Sequence, residues 1–219
     1  MPPDEISAPP ALKSGLHKLG LSRHDDLVLH LPMRYEDETC ITPIDSAPWG
    51  MPVQVEAAVI DVDVQFRPRR QLVARVRDAG GELVLRFLNF YGSQVKQLER
   101  ARDEDKKLRL FGEIREGYFG AEMVHPRYRV VSANEALPNA LTPVYPTTAG
   151  VSQTALRKLI LNTLANADLA ECFDPAWYRT QDFPCFADAV RLLHAPPPDV
   201  DEDALQTRTH PAWQRIKFD

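Results

Sequence analysis

The chain has 219 residues, 44% of them hydrophobic and 26% charged, which is enough to bury a core and ordinary for a water-soluble globular fold. Its 31 acidic against 26 basic side chains, a net of −5, exclude a generic nucleic-acid coat protein. No apolar run reaches the length of a membrane span, and the start, Met1-Pro2-Pro3-Asp4-Glu5, lacks the basic-then-apolar pattern of a secretion signal, so a cytoplasmic location is expected.

In chain order, Leu12, Leu16 and Leu19 share one helix face, and Gly20 suits the helix stop. Ser22 with Asp25 resembles a capping box for a second short helix running to Leu31 and ended by Pro32. Two short helices about a Gly turn have the form of a helix-hairpin-helix, which holds DNA phosphates, but also of a packed helical hairpin. Val53 to Phe66, Gln71 to Asp78 and Leu83 to Leu88 alternate apolar and polar residues, the pattern of three strands. Ser93 to Arg102 changes to helical period. Leu108 to Ile114 and Ala121 to Val131 are two further strands. The order β-β-β-α-β-β is that of the OB-fold, a five-stranded Greek-key barrel that binds oligonucleotides on its strand 2–3 face and its 1–2 and 4–5 loops. The expected fold is therefore mainly β, an OB-fold barrel between helical segments. Its divisions are 1–50 (N-terminal helices), 51–133 (barrel) and 134–219 (Pro-rich linker and helices).

After the barrel, Leu137 to Gly150 is rich in Pro and Thr. Ser152 caps a helix carrying Leu156, Leu159, Ile160 and Leu164 on one face. A further helix spans about Phe186 to His194, followed by Pro196-Pro197-Pro198 and an acidic stretch. The last residues, Arg215-Ile216-Lys217-Phe218-Asp219, read as the start of a helix without a terminator.

Charge is segregated along the chain. From Val53 to Val131 there are 15 Lys and Arg against 12 Asp and Glu, a net of +3, while the remainder has 11 against 19. The stretch Phe66 to Arg77 holds five arginines (Arg67, Arg69, Arg70, Arg75, Arg77) and no acid. Arg67, Arg69 and Arg70 fall on the 1–2 loop. Tyr118 and Phe119 fall at the tip of the 4–5 loop, between Glu116 and Gly120, where two adjacent aromatics cannot both be core. A basic loop and an aromatic loop on one small barrel suit a nucleic-acid backbone and its bases. For Arg75 and Arg77 a plainer reading is a charged edge strand protected from pairing.

The search for catalytic and metal sites is negative. No phosphate-binding G-x-x-x-x-G-K-[ST] loop, G-x-S-x-G elbow or H-E-x-x-H helix occurs. Cys40, Cys172 and Cys185 are far apart and have no zinc spacing, the pattern of reduced thiols. Asp103-Glu104-Asp105 beside Lys106-Lys107 reads as a solvated charge run, and His125 before Pro126 as a structural residue at a strand end.

Several segments together resemble the N-terminal region of the RecG family of bacterial ATP-dependent DNA helicases. They are Leu19-Gly20-Leu21, Asp26 to Pro32 with Arg34-Tyr35-Glu36-Asp37, Gly112-Glu113, Gly120 to Pro126, Leu141 to Thr148, Leu156-Arg157-Lys158-Leu159, and Leu193-His194 with its following prolines. They occur in family order over nearly the whole chain. The resemblance implies a wedge domain, an OB-fold that sits where the parental DNA strands part. It also implies a motor, beginning just beyond Asp219, that hydrolyses ATP with Mg²⁺. This region alone is then expected to be a monomer near the bacterial nucleoid, to bind branched DNA (forks, Holliday junctions), to hold no cofactor and to hydrolyse nothing. Where the family commonly has Phe-Asn at the end of the third strand, this chain has Leu88-Asn89, flanked by Phe87, Phe90 and Tyr91. Phe90 and Tyr91 are the candidates to take over stacking on a base, and Phe90 is equally suited to the core. The rival reading is a protein-docking module, for example for single-strand-binding protein, with Leu141 to Pro146 as a polyproline ligand.

Overall fold

The computed structural model describes residues 5–67, 69–118, 120–171, 174, 176, 180 and 182–218. The chain divides into two compact units, one of Asp37–Pro138 and one combining Met1–Glu36 with Asn139–Asp219. No helix among the described residues is long and apolar enough to cross a membrane.

The Asp37–Pro138 unit is built on one seven-stranded sheet with a single helix against it. Its elements are β2 (Pro52–Gln65), β3 (Gln71–Arg77), β4 (Glu82–Phe87), α3 (Gly92–Asp103), β5 (Lys107–Glu113), β6 (Arg115–Gly117), β7 (Gly120–Val124) and β8 (Arg127–Val131). The sheet order is β6-β7-β4-β3-β2-β5-β8. Each neighbouring pair is antiparallel except β4 with β7, which run parallel. All five expected strands lie in it. The last expected strand, Ala121 to Val131, divides at His125-Pro126, because Pro126 cannot donate to a ladder and His125 sits at φ +52. One half, β7, pairs with β4, and the other, β8, pairs with β5.

The core follows from period-two alternation. Val53, Val55, Ala57 and Val59 of β2 are buried, and then the register shifts between Val59 and Asp61. This bulge moves the inward positions onto Val62 and Val64, which pack against the core, and sends Asp61, Asp63 and Gln65 outward. Leu72, Ala74 and Val76 of β3, Leu83, Leu85 and Phe87 of β4, and Leu108 and Leu110 of β5 complete the buried face, closed by Leu98 and Ala101 of α3. Since β3 lies between β2 and β4, Arg75 and Arg77 are not on an edge, and the protected-edge reading is overturned. Asp78 shapes the β3–β4 turn: its Oδ1 accepts the Gly80 and Gly81 amides at 2.8 Å each, and its Oδ2 accepts the Ile44 amide at 2.9 Å.

The second unit is largely helical. Helices α1 (Pro10–Lys18) and α2 (His24–Val28) share a core with α4 (Gln153–Leu164), through Leu16, Leu21, Leu27, Leu156 and Ile160. The carboxylate that closes the turn before α2 is Asp26, not Asp25, because the helix starts one residue later; its Oδ2 accepts the Ser22 and Arg23 amides at 2.9 and 2.8 Å. Ser152 caps α4 by accepting the Ala155 amide. Three further helices, α5 (Phe186–His194), α6 (Glu202–Gln206) and α7 (Pro211–Phe218), pack through Ala189, Leu193, Leu205, Ala212 and Trp213.

The expected Pro-rich linker is in fact built into this unit. β9 (Thr142–Val144) pairs with β1 (Arg34–Glu36) as a two-stranded sheet, and Leu141 to Tyr145 are buried. A free polyproline ligand is therefore excluded there. Tyr145 donates its hydroxyl to Nδ1 of His194 at 2.8 Å, while Nε2 of His194 donates to the Val28 carbonyl at 2.8 Å. Burial pushes the Tyr145 hydroxyl pKa up and the His194 pKa down, so both stay neutral.

Candidate nucleic-acid interface

The β2–β3 loop opens beyond the Gln65 and Gln71 pair, whose side chains are joined at 3.0 Å. Phe66, Arg67, Arg69 and Arg70 on it are all exposed; Pro68 lies outside the described residues. Among the described residues, none of the three arginines has an ion-pair partner. Arg70 instead lies over the Phe90 ring, its guanidinium carbon 4.2 Å from the ring centroid. That contact ties the loop to the segment following β4.

In that segment the side chains divide as a strand end dictates. Phe87 is buried, 3% exposed, edge-on to His125 and Tyr128. It is a core residue, which corrects its expected place at the DNA surface. Leu88 and Asn89 turn outward. Phe90 is half-buried, packed on the core beneath Arg70. Tyr91 is 82% exposed at the N-cap of α3. The first turn of α3 has no acidic residue and no side-chain cap, which leaves its end of the helix dipole to solvent. Arg69, Arg70, Leu88, Asn89, Phe90 and Tyr91 together line an open cleft of about 370 Å³. Six of the expected site residues thus converge on one place.

The others do not. Arg75 and Arg77 lie on the outer face of the sheet. There Arg75 Nη2 is 3.3 Å from Asp61 Oδ2, and Arg77 Nε is 3.1 Å from Glu82 Oε1. Arg86 pairs with Glu122 at 2.6 Å on the same face. The hydrogen bond from Arg77 holds the Glu82 carboxyl below its usual pKa. A shallow groove of about 400 Å³ on this face is floored by Val73 and Val84 and edged by Asp61, Asp63, Arg75, Glu82 and Arg86. Its charges are interleaved, so it is not a basic strip.

Tyr118 is 91% exposed at the β6–β7 turn; Phe119 lies outside the described residues. The register locates that turn. β7 runs parallel to β4, with Val84 opposite Glu122 and Arg86 opposite Val124, so the turn lies toward Glu82. The β2–β3 loop lies beyond the other end of β4, because Phe87 faces Leu72. The length of β4 separates the two, roughly 17 Å at about 3.3 Å per residue. The basic and aromatic loops are therefore at opposite ends of the sheet.

Two contributors were not singled out as site residues from sequence. Phe66, 71% exposed beside Arg67, was legible as an apolar residue on a loop. His125, whose imidazole accepts the Leu88 amide at 3.2 Å, was not, because the pairing spans 37 residues.

The model of the RecG wedge domain matches residues 10–167. The ATP-dependent DNA helicase RecG of Escherichia coli (strain K12) is 38% identical over 211 residues, covering 94% of this chain and 30% of that protein. The RecG of Pasteurella multocida is 37% identical over 214 residues, with 95% and 30% covered. This chain thus spans about 30% of the length of these curated relatives. Among solved structures, RecG bound to a three-way DNA junction superposes with a TM-score of 0.70 at 22% identity, over 88% of this chain and 26% of that one. With a family model matched over most of its length, across both units, the chain belongs to the RecG wedge domain family.

Proposed function

We propose that this chain is the junction-binding region of a RecG-type helicase that remodels stalled forks and Holliday junctions, and that its DNA contact is the Arg69–Tyr91 cleft. The observation that carries the reading is the convergence of exposed arginines and an exposed tyrosine on one cleft, within a chain of the wedge family. Arg67, Arg69 and Arg70 hold phosphates, aided by the uncapped start of α3. Leu88 is a blunt apolar wedge against the last base pair, and Tyr91 stacks on the exposed base. Phe90, pinned under Arg70, keeps the segment in place. Stacking of this kind is worth about 1–3 kcal/mol per base and is indifferent to sequence, as a fork-processing protein requires.

β7 and β8, joined at His125-Pro126, act as one bent strand that closes an OB barrel. Support comes from their pairing with β4 and β5, the strands on either side of the β4-β3-β2-β5 run. In the whole protein the remaining length would supply the ATP- and Mg²⁺-dependent motor.

Fluorescence anisotropy on a single strand, a duplex and a three-armed junction of equal length tests this. The expected order is junction first, with affinity falling as salt rises. Equal binding to all three, or no binding at low salt, refutes it; in that case a protein-docking role, with single-strand-binding protein as the first partner to try, takes its place.

A further inference from the structure

His125 has a left-handed backbone, φ +52, which a non-glycine residue adopts only at some cost. Its amide donates to the Arg86 carbonyl at 2.8 Å, one bond beyond the β4–β7 ladder. Its ring stands edge-on to Phe87, with centroids 6.1 Å apart and planes at 84°. Its Nε2 lies 3.2 Å from the Leu88 amide nitrogen. That amide can only donate, so Nε2 is the unprotonated nitrogen of a neutral imidazole. One residue therefore touches three successive positions, Arg86, Phe87 and Leu88, where β4 ends.

Leu88 is also where the strand partners run out. Pairing with β3 stops at Phe87 opposite Leu72, and pairing with β7 stops at Arg86 opposite Val124. The histidine side chain takes the place of the missing carbonyl. A simple strand terminator before Pro126 needs only the left-handed backbone, which Gly or Asn adopts more readily. It does not need an acceptor that reaches Leu88.

We propose that His125 is a positioning residue: by accepting the Leu88 amide, its Nε2 sets the direction in which Leu88 to Tyr91 leave the sheet. Resting on the junction reading above, this bond presents Leu88 and Tyr91 to DNA.

The test uses the 219-residue chain, isotopically labelled, with two variants. His125→Asn keeps a residue tolerant of the left-handed backbone but too short to reach Leu88. His125→Gln offers a carbonyl oxygen on a longer arm. Amide exchange at Leu88 is read by NMR, and affinity for a three-armed junction and a duplex by anisotropy. In His125→Asn the Leu88 amide should exchange about five-fold faster, as loss of one hydrogen bond predicts. Junction affinity should fall by a similar factor with duplex affinity unchanged, and His125→Gln should recover both. Unchanged Leu88 exchange in His125→Asn overturns the proposal, as does failure of His125→Gln to recover either readout. Faster exchange with unaltered junction affinity also overturns it, since the segment's direction then does not matter to binding. If the unmodified chain shows no junction preference, the junction reading falls, and Leu88 exchange still decides whether His125 holds the segment. Should His125→Asn fail to fold, coupling across the hydrogen bond between the Leu88 amide and Nε2 in the unmodified chain decides: its detection supports the bond, and a protonated Nε2 overturns it.

Discussion

Removing Arg67 and Arg69 together should flatten the salt dependence of junction binding, and removing Arg75 and Arg77 should not. The reason is in the partners. Arg67 and Arg69 are exposed on the β2–β3 loop and have no ion-pair partner among the described residues, so each is available to displace a counterion from a phosphate. Arg75 and Arg77 are each already paired with a carboxylate, Asp61 and Glu82, so a phosphate there competes with a partner in place. A contact neutralised contributes about 0.7–0.9 to the slope of log K against log salt, so Arg67→Ala/Arg69→Ala should lower the slope by about 1.4–1.8. Over a fourfold rise in salt, that removes about seven- to twelve-fold of the affinity loss the unmodified chain shows. Arg70 is left in place because its removal also uncovers Phe90, a contact worth about 0.5–1 kcal/mol, which would mix stability into the result. Arg75→Ala/Arg77→Ala should change the slope by less than about half a unit. It should also leave the fold intact, since exposed ion pairs contribute about 0–1 kcal/mol. The assay is anisotropy titration on the three-armed junction at four salt concentrations. Equal flattening by both pairs, or none from the loop pair, refutes the division of the arginines into free and committed sets.

Tyr91→Ala should weaken junction binding by about 1–3 kcal/mol while leaving the melting temperature unchanged, because the ring is exposed rather than part of the core; a lowered melting temperature would place it in the core instead. Leu85→Ala should cost about 2–5 kcal/mol in urea unfolding, since Leu85 is fully buried between Ala74 and Met123 in the sheet registers. Asp78→Ala strands three amides at the β3–β4 turn and should cost about 1–3 kcal/mol in the same measurement. Stability should also fall on mild acidification. His194 is neutral when folded with its pKa depressed by burial, so the unfolded chain takes up a proton near pH 6.5 that the folded chain refuses. Its contribution is complete above that pH and is lost as pH falls through the lower folded pKa, at no more than about 1.4 kcal/mol per pH unit. A urea midpoint that does not move between pH 7.5 and 5.5 would contradict this.

Much of the sheet was legible because strand alternation is a local signal. The three strands before α3 and the helix itself were readable from Val53 to Arg102, since each side-chain parity is written in two or three consecutive turns of the pattern. The site was half legible. A loop of arginines and the aromatic segment Phe87 to Tyr91 could be named, but not that Arg70 would sit on Phe90, that Phe87 would turn inward, or that Tyr118 would end up at the far end of β4. Those depend on pairings between residues 15 to 38 positions apart.

What the sequence determined by itself was the apolar core of the sheet, the family segments and the concentration of basic charge in the middle of the chain, because composition and period act over a few residues at a time. Tertiary structure alone decided the rest. It joined the two ends of the chain into one helical unit and turned a Pro-rich linker into the buried strand β9. It neutralised Arg75 and Arg77 with Asp61 and Glu82 while leaving Arg67 and Arg69 exposed. The physical reason is common to all of these. A charge's worth to a ligand, like a proline's freedom, depends on which distant segment folds against it, and that is fixed by strand register and core packing rather than by the residue's own neighbours in sequence.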